Sequence, residues 1–363
     1  MNEAKPSTFN EAAPYRPGEL TMQESEHQRK TDELRRAMGT LPELNCEDDR
    51  TALHVGVAGI SAELIDAPRN PYRAIFEVSV ATWGNEEYAT KWPLVAPEHR
   101  FKVVKAALSG QTLPQAVEPI LFSFIIRGAS RSAFDQHARQ RLATFFSQGV
   151  RDNSRLDAGF RIPAELHPDH GGDQETFDEI MAFVKEYKRL YKKILKKGWG
   201  SFQSARALMP MGMTHNYKFA ANVGVLKSYI AQRTQACEQA DTVAVAICVW
   251  NLLWGRWPFL ASHLKPGCDF AKRCTYHQSS TLSEMFSALF AGCGRWPDPV
   301  PYATFNKSCS SYEDIIKQLN ITSRLPQWFP EPGKWPDFQE FSALFPTDLQ
   351  LMSEDYVRNR KGN

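Results

Sequence analysis

The chain has 363 residues, 42% hydrophobic and 23% charged, the composition of a globular protein of one large domain or two. Its formal net charge of +2 gives no global attraction to nucleic acid or to an anionic membrane, so any anion binding has to be local. No apolar run approaches the ~20 residues of a membrane span, and the polar start MNEAKPSTFNEAAPYRPGEL has no signal-peptide core.

Residues 1–50 read as a flexible arm, since MQESEHQRKTDELRRAM mixes charges with little apolar face. The core is expected to begin at ALHVGVAGISAELIDA (52–67), which is β-prone and ends at a proline. PYRAIFEVSVATW and EHRFKVVKAALSG follow, the second helix-like and closed by Gly110. ILFSFIIRG (120–128) is a β-branched apolar run of the buried-strand type. SRSAFDQHARQRLATFFSQG opens with a capping Ser130 and predicts a helix through to Gly149. PDHGGD (168–173) is expected to be a turn.

ETFDEIMAFVKEYKRLYKKILKKG (175–198) repeats apolar residues at three and four spacing and ends in lysines, an amphipathic helix with a solvated lysine face. After an expected loop, MPMGMTHNY, the segment FAANVGVLKSYIAQRTQACEQADTVAVAICVWNLLW predicts one long or two consecutive buried helices. Beyond 260 the texture turns Pro-, Trp- and Cys-containing, which divides the chain into an arm (1–50), a main domain (51–260) and a C-terminal extension (261–363) of unknown role. Gly-x-Trp-Pro recurs at 255, 294 and 333, but the intervening residues do not repeat, so it reads as a turn with an anchoring aromatic. Cys268, Cys274 and His277 are metal-ligand types without the usual Cys-x₂₋₄-Cys spacing, and no metal site is assigned. The seven cysteines, odd in number and scattered, suit a reducing compartment, and a cytoplasmic location is expected.

QHARQRLATFFSQGVR (136–151) gathers Gln136, Arg139, Arg141 and Arg151, while the nearest acids, Asp135 and Asp152, lie at its two ends. Surface helices usually interleave bases with acids at i,i+4, so this cationic face is either solvated or waiting for an anion. With its neighbours, FSFIIRGASRSAFDQHARQRLATFFSQGVR resembles the signature of the flavin-dependent thymidylate synthases: a strand leading into Ser-Arg, then a Gln three residues ahead of Arg-His-Arg. Ser130, Arg131, Gln136, Arg139, Arg141 and Arg151 fall in register. A second block, ARALMPMGMTHNYKFAANVGVLKSYIAQR (205–233), resembles the family's Ala-Arg-x-x-Leu-Pro loop and following helix at Arg206, Pro210, Asn222, Leu226 and Arg233, with Gln239 six residues beyond.

The resemblance implies an α/β (α+β) fold, a central sheet with long helices, carrying in addition an irregular, mostly helical C-terminal extension. It implies FAD held by Arg139, Gln140, Arg141, Glu118 and Asn222, and a pyrimidine nucleotide monophosphate, dUMP in the family, held by Gln136, Arg151, Gly149 and Arg206. Methylenetetrahydrofolate and NADPH are the implied co-substrates, C5 methylation the implied reaction, and a homotetramer the implied assembly. No nucleic-acid or membrane partner is expected, and no enzymic nucleophile is identified. Two phosphorylated ligands call for planar, permanently charged bidentate donors, which arginine supplies and lysine does not. The sequence departs from the family at Gln140 (His), Gly149 (Ser), Gly224 (Arg) and Asn251 (Arg). Losing two nucleotide-contacting arginines weakens a site by several kcal/mol, at about 1.5–3 for each hydrogen bond to a charged group. Those departures leave open hydroxymethylation or hypermodification of a pyrimidine nucleotide on the same fold, or a non-catalytic flavin- or nucleotide-binding descendant.

Overall fold

The computed structural model describes residues 52–81, 91–147, 158–197, 202–234, 238–264, 312–320 and 335–357. They fall into two compact units, the smaller made of 181–197 and 202–210, the larger of the rest. The expected N-terminal arm (1–50) lies outside the described residues.

In the larger unit, β1 (Leu53–Val55) turns through Gly56 and Gly59 into β2 (Ser61–Asp66). Helices α1 (Pro71–Ala81) and α2 (Pro97–Leu108) follow, and α2 ends at Gly110, whose φ of 76° takes the left-handed conformation a helix stop favours. β3 (Leu121–Ser130) leads into α3 (Arg131–His137), β4 (Thr144–Ser147) and β5 (Phe160–Ile162). α4 (Gln174–Lys196) begins here and continues into the smaller unit, which also holds the single-turn α5 (Phe202–Ala205). β6 (Thr214–Asn222), α6 (Val223–Arg233), α7 (Ala240–Arg256) and α8 (Pro258–Ser262) complete the central segment. α9 (Tyr312–Gln318), α10 (Phe338–Leu344) and α11 (Pro346–Ser353) close the chain.

β2, β3, β6 and β4 form an antiparallel sheet in that order, and β1 and β5 pair in parallel. β3 alternates as a half-buried strand should, with Phe122, Phe124 and Ile126 at 0% exposure. Its ladder with β6 slips between Ile126 and Ala129, where Gly128 takes a φ of 73° and a Cβ would sit 2.6 Å from the Gly59 carbonyl. α7 has no polar face from Asp241 to Trp250 and is buried throughout that stretch.

Two expectations need correcting. α3 stops at His137, because the following TFFS pairs with β6 and stacks Phe145 on Phe219 at 5.1 Å. The segment expected as a loop and the start of a helix contains β6, since His215, Tyr217, Phe219 and Ala221 alternate into the core with period two. The amphipathic α4 is present with Val184, Tyr187, Lys188 and Tyr191 along one stripe, and Lys188 is itself buried, so the lysine run is only partly a solvated face.

α10 and α11 pack into the same core as α1, α2 and α8. Phe341 lies 4.6 Å from Phe101 and 4.9 Å from Phe259 between ring centroids. The buried Arg100 donates to the carbonyls of Trp92, Met352 and Glu354 and stacks its guanidinium 4.1 Å from the Trp92 ring. Trp257, between α7 and α8, packs against Phe122, and Trp335 stacks on His263 at 3.7 Å, so both tryptophans anchor as expected; Gly255 and Arg256 themselves end α7, and residues 294–297 and 333–334 lie outside the described residues.

Asp348 is fully buried, accepting from the Tyr72 hydroxyl at 2.7 Å and from the Phe259 N–H at 2.6 Å, at the start of α8. Burial pushes its carboxyl up to about 7, and the two donors pull it back. A folded value raised above the unfolded one makes its contribution to stability complete below pH ~4 and lost as pH climbs toward 7. Asp348→Asn removes that titration. The stability of wild type minus that of the variant is therefore expected to fall by roughly 3 kcal/mol between pH 4 and 7. Denaturant unfolding at both pH values measures it, and a gap that stays constant contradicts it.

Candidate functional site

The first signature block is built around α3. Ser130 caps it, accepting from the Ala133 N–H at 3.0 Å, and its hydroxyl donates to the carboxylate of Asp241 on α7. Burial raises the Asp241 carboxyl, while the Ser130 bond and the charge of Arg161 oppose the shift. Arg161, buried on β5, donates to the carbonyls of Gly128 at 2.6 Å and Gly56 at 2.6 Å, fixing the β3 bulge against the β1–β2 turn. Its burial brings the guanidinium down to about 10. His137 at the helix end bonds the Tyr217 hydroxyl at 2.5 Å, and enclosure drives its imidazole down to about 3, so it stays neutral at working pH.

The two blocks meet at Gln136. Its amide donates to Gln239 at 2.7 Å, its amide oxygen accepts from Thr242 at 3.3 Å, and its backbone carbonyl accepts from Arg233 at 3.0 Å. Ser132 donates to the same Gln239 oxygen at 2.9 Å, and Arg233 pairs with Glu238 at 2.8 Å. Gln136, expected on the nucleotide, is thus bonded inside the protein.

Arg139, Gln140 and Arg141 are not on a helix face but in the turn after α3, held by Gln140 N–H to the His137 carbonyl at 2.9 Å and Ala143 N–H to the Gln140 carbonyl at 3.2 Å. The turn is forced by the short α3 and by the start of β4. Arg139 and Arg141 are exposed, and among the described residues neither has an ion pair; the nearest acid in sequence, Asp135, pairs with Arg131 at 2.9 Å. Thr144, just beyond, lies opposite Ala220, two residues from Asn222, which in turn lies opposite Leu121. Glu118 is exposed in the turn before β3. The strand register therefore gathers Glu118, Asn222 and the arginine turn toward one end of the sheet.

Asn222 caps α6, accepting from the Val225 N–H at 2.8 Å. Gly224 is open, since a Cβ there would meet only the Asn222 oxygen at 3.4 Å and Val117 at 3.8 Å. Arg206 is exposed in the smaller unit, and Gly149 and Arg151 lie outside the described residues. Asn251 is half-buried on α7; Lys218 is exposed on β6, and Lys227 donates to the Leu108 carbonyl at 3.3 Å. Arg161, Asp241 and the pairing of His137 with Tyr217 were not anticipated. The lone arginine of FRI and the acid opening an apolar helix were the only local signals.

Cys268, Cys274 and His277 lie outside the described residues, among which no group of three His, Cys, Asp or Glu could hold a metal ion. Among the described residues no helix is long and apolar enough to cross a membrane. An open cleft of about 410 Å³ is lined by Arg69, Arg73, Glu77 and Glu354 with their neighbours and contains none of the signature residues. Two exposed arginines, without a carboxylate partner among the described residues and beside an amide side chain, form a donor set suited to a phosphorylated ligand.

A family model described as thymidylate synthase complementing protein matches residues 63–259, more than half of the chain. The chain belongs to this family. Flavin-dependent thymidylate synthase from Pyrococcus abyssi is 25% identical over 199 residues, covering 53% of this chain and 78% of the relative. The enzyme of that name from Nitratidesulfovibrio vulgaris is 23% identical over 194 residues, covering 52% of this chain and 73% of the relative. Among solved structures, a UMP/dUMP methylase PolB from Streptomyces cacaoi bound with 5-Br dUMP is 15% identical with a TM-score of 0.49, covering 58% of this chain and 96% of that one. The matched family span takes in both signature blocks, so the resemblance expected from Ser130–Arg151 and Arg206–Arg233 holds at the family level.

Proposed function

We propose that this chain is a flavin-dependent methyltransferase of the thymidylate synthase type, acting at C5 of a pyrimidine deoxynucleotide with a folate one-carbon donor. The observation that carries the reading is the turn inside the family-matched span that exposes Arg139 and Arg141, neither with an ion pair among the described residues. Arg139, Gln140 and Arg141, with Glu118 and Asn222 at the same end of the sheet, would hold FAD through its diphosphate and ring. When bound, the flavin supplies the redox chemistry of the transfer, and the residues of the chain orient it and its nucleotide partner. Arg151, Gly149 and Arg206 are assigned to the nucleotide, methylenetetrahydrofolate and NADPH to the co-substrates, and a cytoplasmic homotetramer to the working assembly.

The test is direct. Protein loaded with FAD, reduced without oxygen and mixed with methylenetetrahydrofolate and dUMP, is expected to yield the C5-methylated nucleotide by mass spectrometry. No product from dUMP or UMP, with flavin bound, would overturn the reaction. Light scattering showing only a monomer would count against the shared-site assembly.

The departures from the family predict weak dUMP binding. Gly224 has room for a side chain, and Asn251 is half-buried rather than packed away. Gly224→Arg, combined with Gly149→Ser and Asn251→Arg, is expected to tighten dUMP at least about tenfold, the effect of one charge-assisted hydrogen bond. Calorimetry on both proteins checks it, and micromolar dUMP binding by the unmodified chain would contradict it.

A further inference from the structure

We infer that Gln239 is a positioning residue, the anchor that holds the end of α3 so that the Arg139–Arg141 turn keeps one arrangement. One oxygen does this. Gln239 Oε1 accepts from Ser132 in the first turn of α3 at 2.9 Å and from Gln136 in its last turn at 2.7 Å, so a single acceptor spans the helix. α3 has only seven residues, too few to hold its own geometry in water. Its C-terminal carbonyls lead straight into the arginine turn, and that end is otherwise fixed by Arg233 on the Gln136 carbonyl and by His137 on Tyr217. Thr242 donates to the Gln136 oxygen, which leaves the Gln136 amide one orientation and aims its N–H group at Gln239.

Exposed arginines that must meet a phosphorylated ligand lose affinity when the turn carrying them wanders, because ordering it is then charged to binding. That consequence rests on the proposed role of the turn in holding flavin. The anchoring itself does not.

The substitutions are Gln239→Met, which keeps bulk and removes the acceptor, and Gln239→Glu, which keeps it. Trypsin acts on the native protein, and cleavage after Arg139 and Arg141 is followed by mass spectrometry; Leu142 beside the second bond is 83% exposed. Gln239→Met is expected to speed cleavage at these two bonds about tenfold or more, as the loss of two hydrogen bonds implies, with Gln239→Glu near the wild-type rate. Should Gln239→Met fail to fold, Ser132→Ala, which removes one of the two bonds, is expected to give an intermediate acceleration. Wild-type cleavage rates in Gln239→Met, or in Ser132→Ala where that variant stands in, overturn the inference, as does Gln239→Glu behaving like Gln239→Met. Titration with FAD is the second readout: Gln239→Met should bind it about tenfold more weakly and Gln239→Glu should restore it. If wild type binds no FAD the proposed function fails, while the cleavage pattern still decides the anchoring.

Discussion

Arg139→Ala and Arg141→Ala are each expected to strip flavin from the purified protein, or to abolish turnover, while leaving it folded. Both side chains are exposed and carry no ion pair among the described residues, so their loss should change stability by no more than about 0.5 kcal/mol. Each guanidinium can make two charge-assisted hydrogen bonds to a phosphate, at about 1.5–3 kcal/mol apiece, so one substitution lowers affinity by two orders of magnitude or more. The ratio of flavin to protein absorbance and a thermal melt together provide the measurement. Variants that keep bound flavin and full activity would remove the turn from the site.

The second large effect concerns the other end of the molecule. Deleting residues 335–363 is expected to leave a chain that does not fold. The deletion removes Phe341, Phe345 and Met352 from the core and exposes Phe101, Tyr72 and Phe259. Three large side chains at about 1.5–3 kcal/mol each already approach the 5–15 kcal/mol that holds a typical domain together. Arg100 would also lose the Met352 and Glu354 carbonyls, and the Phe259 N–H would lose Asp348. A soluble truncated protein that melts cooperatively at the temperature of the full chain would contradict this.

What was legible in the sequence is what repeats locally. The apolar run of β3, the three-and-four spacing of α4 and the stop of α2 at Gly110 all carry their signal within a dozen residues. β6 was hidden because His215 and Ala221 are weak strand formers, and the next residues continue as an apolar helix. Only pairing with β3 and β4 on its two sides makes the strand. The arginines stand out in the sequence by their lack of nearby acids, but their backbone does not, since the end of α3 depends on TFFS finding β6. The partners of Gln136 could not be read at all. Gln239 and Thr242 lie 103 and 106 residues away, and no local pattern encodes such a pairing.

The hydrogen bond between Tyr72 and Asp348 spans 276 positions of the chain. At a synthesis rate of about 5–20 residues per second, Tyr72 leaves the ribosome roughly 15–55 s before its partner exists. Through that interval the apolar faces of α1 and α2 have no α10 or α11 to cover them. Such distant contacts also slow the final closure, because the long intervening loop must be ordered before the pairing repays it. The nascent chain therefore carries exposed apolar surface, the kind that holdase chaperones bind, until residues 338–353 have emerged.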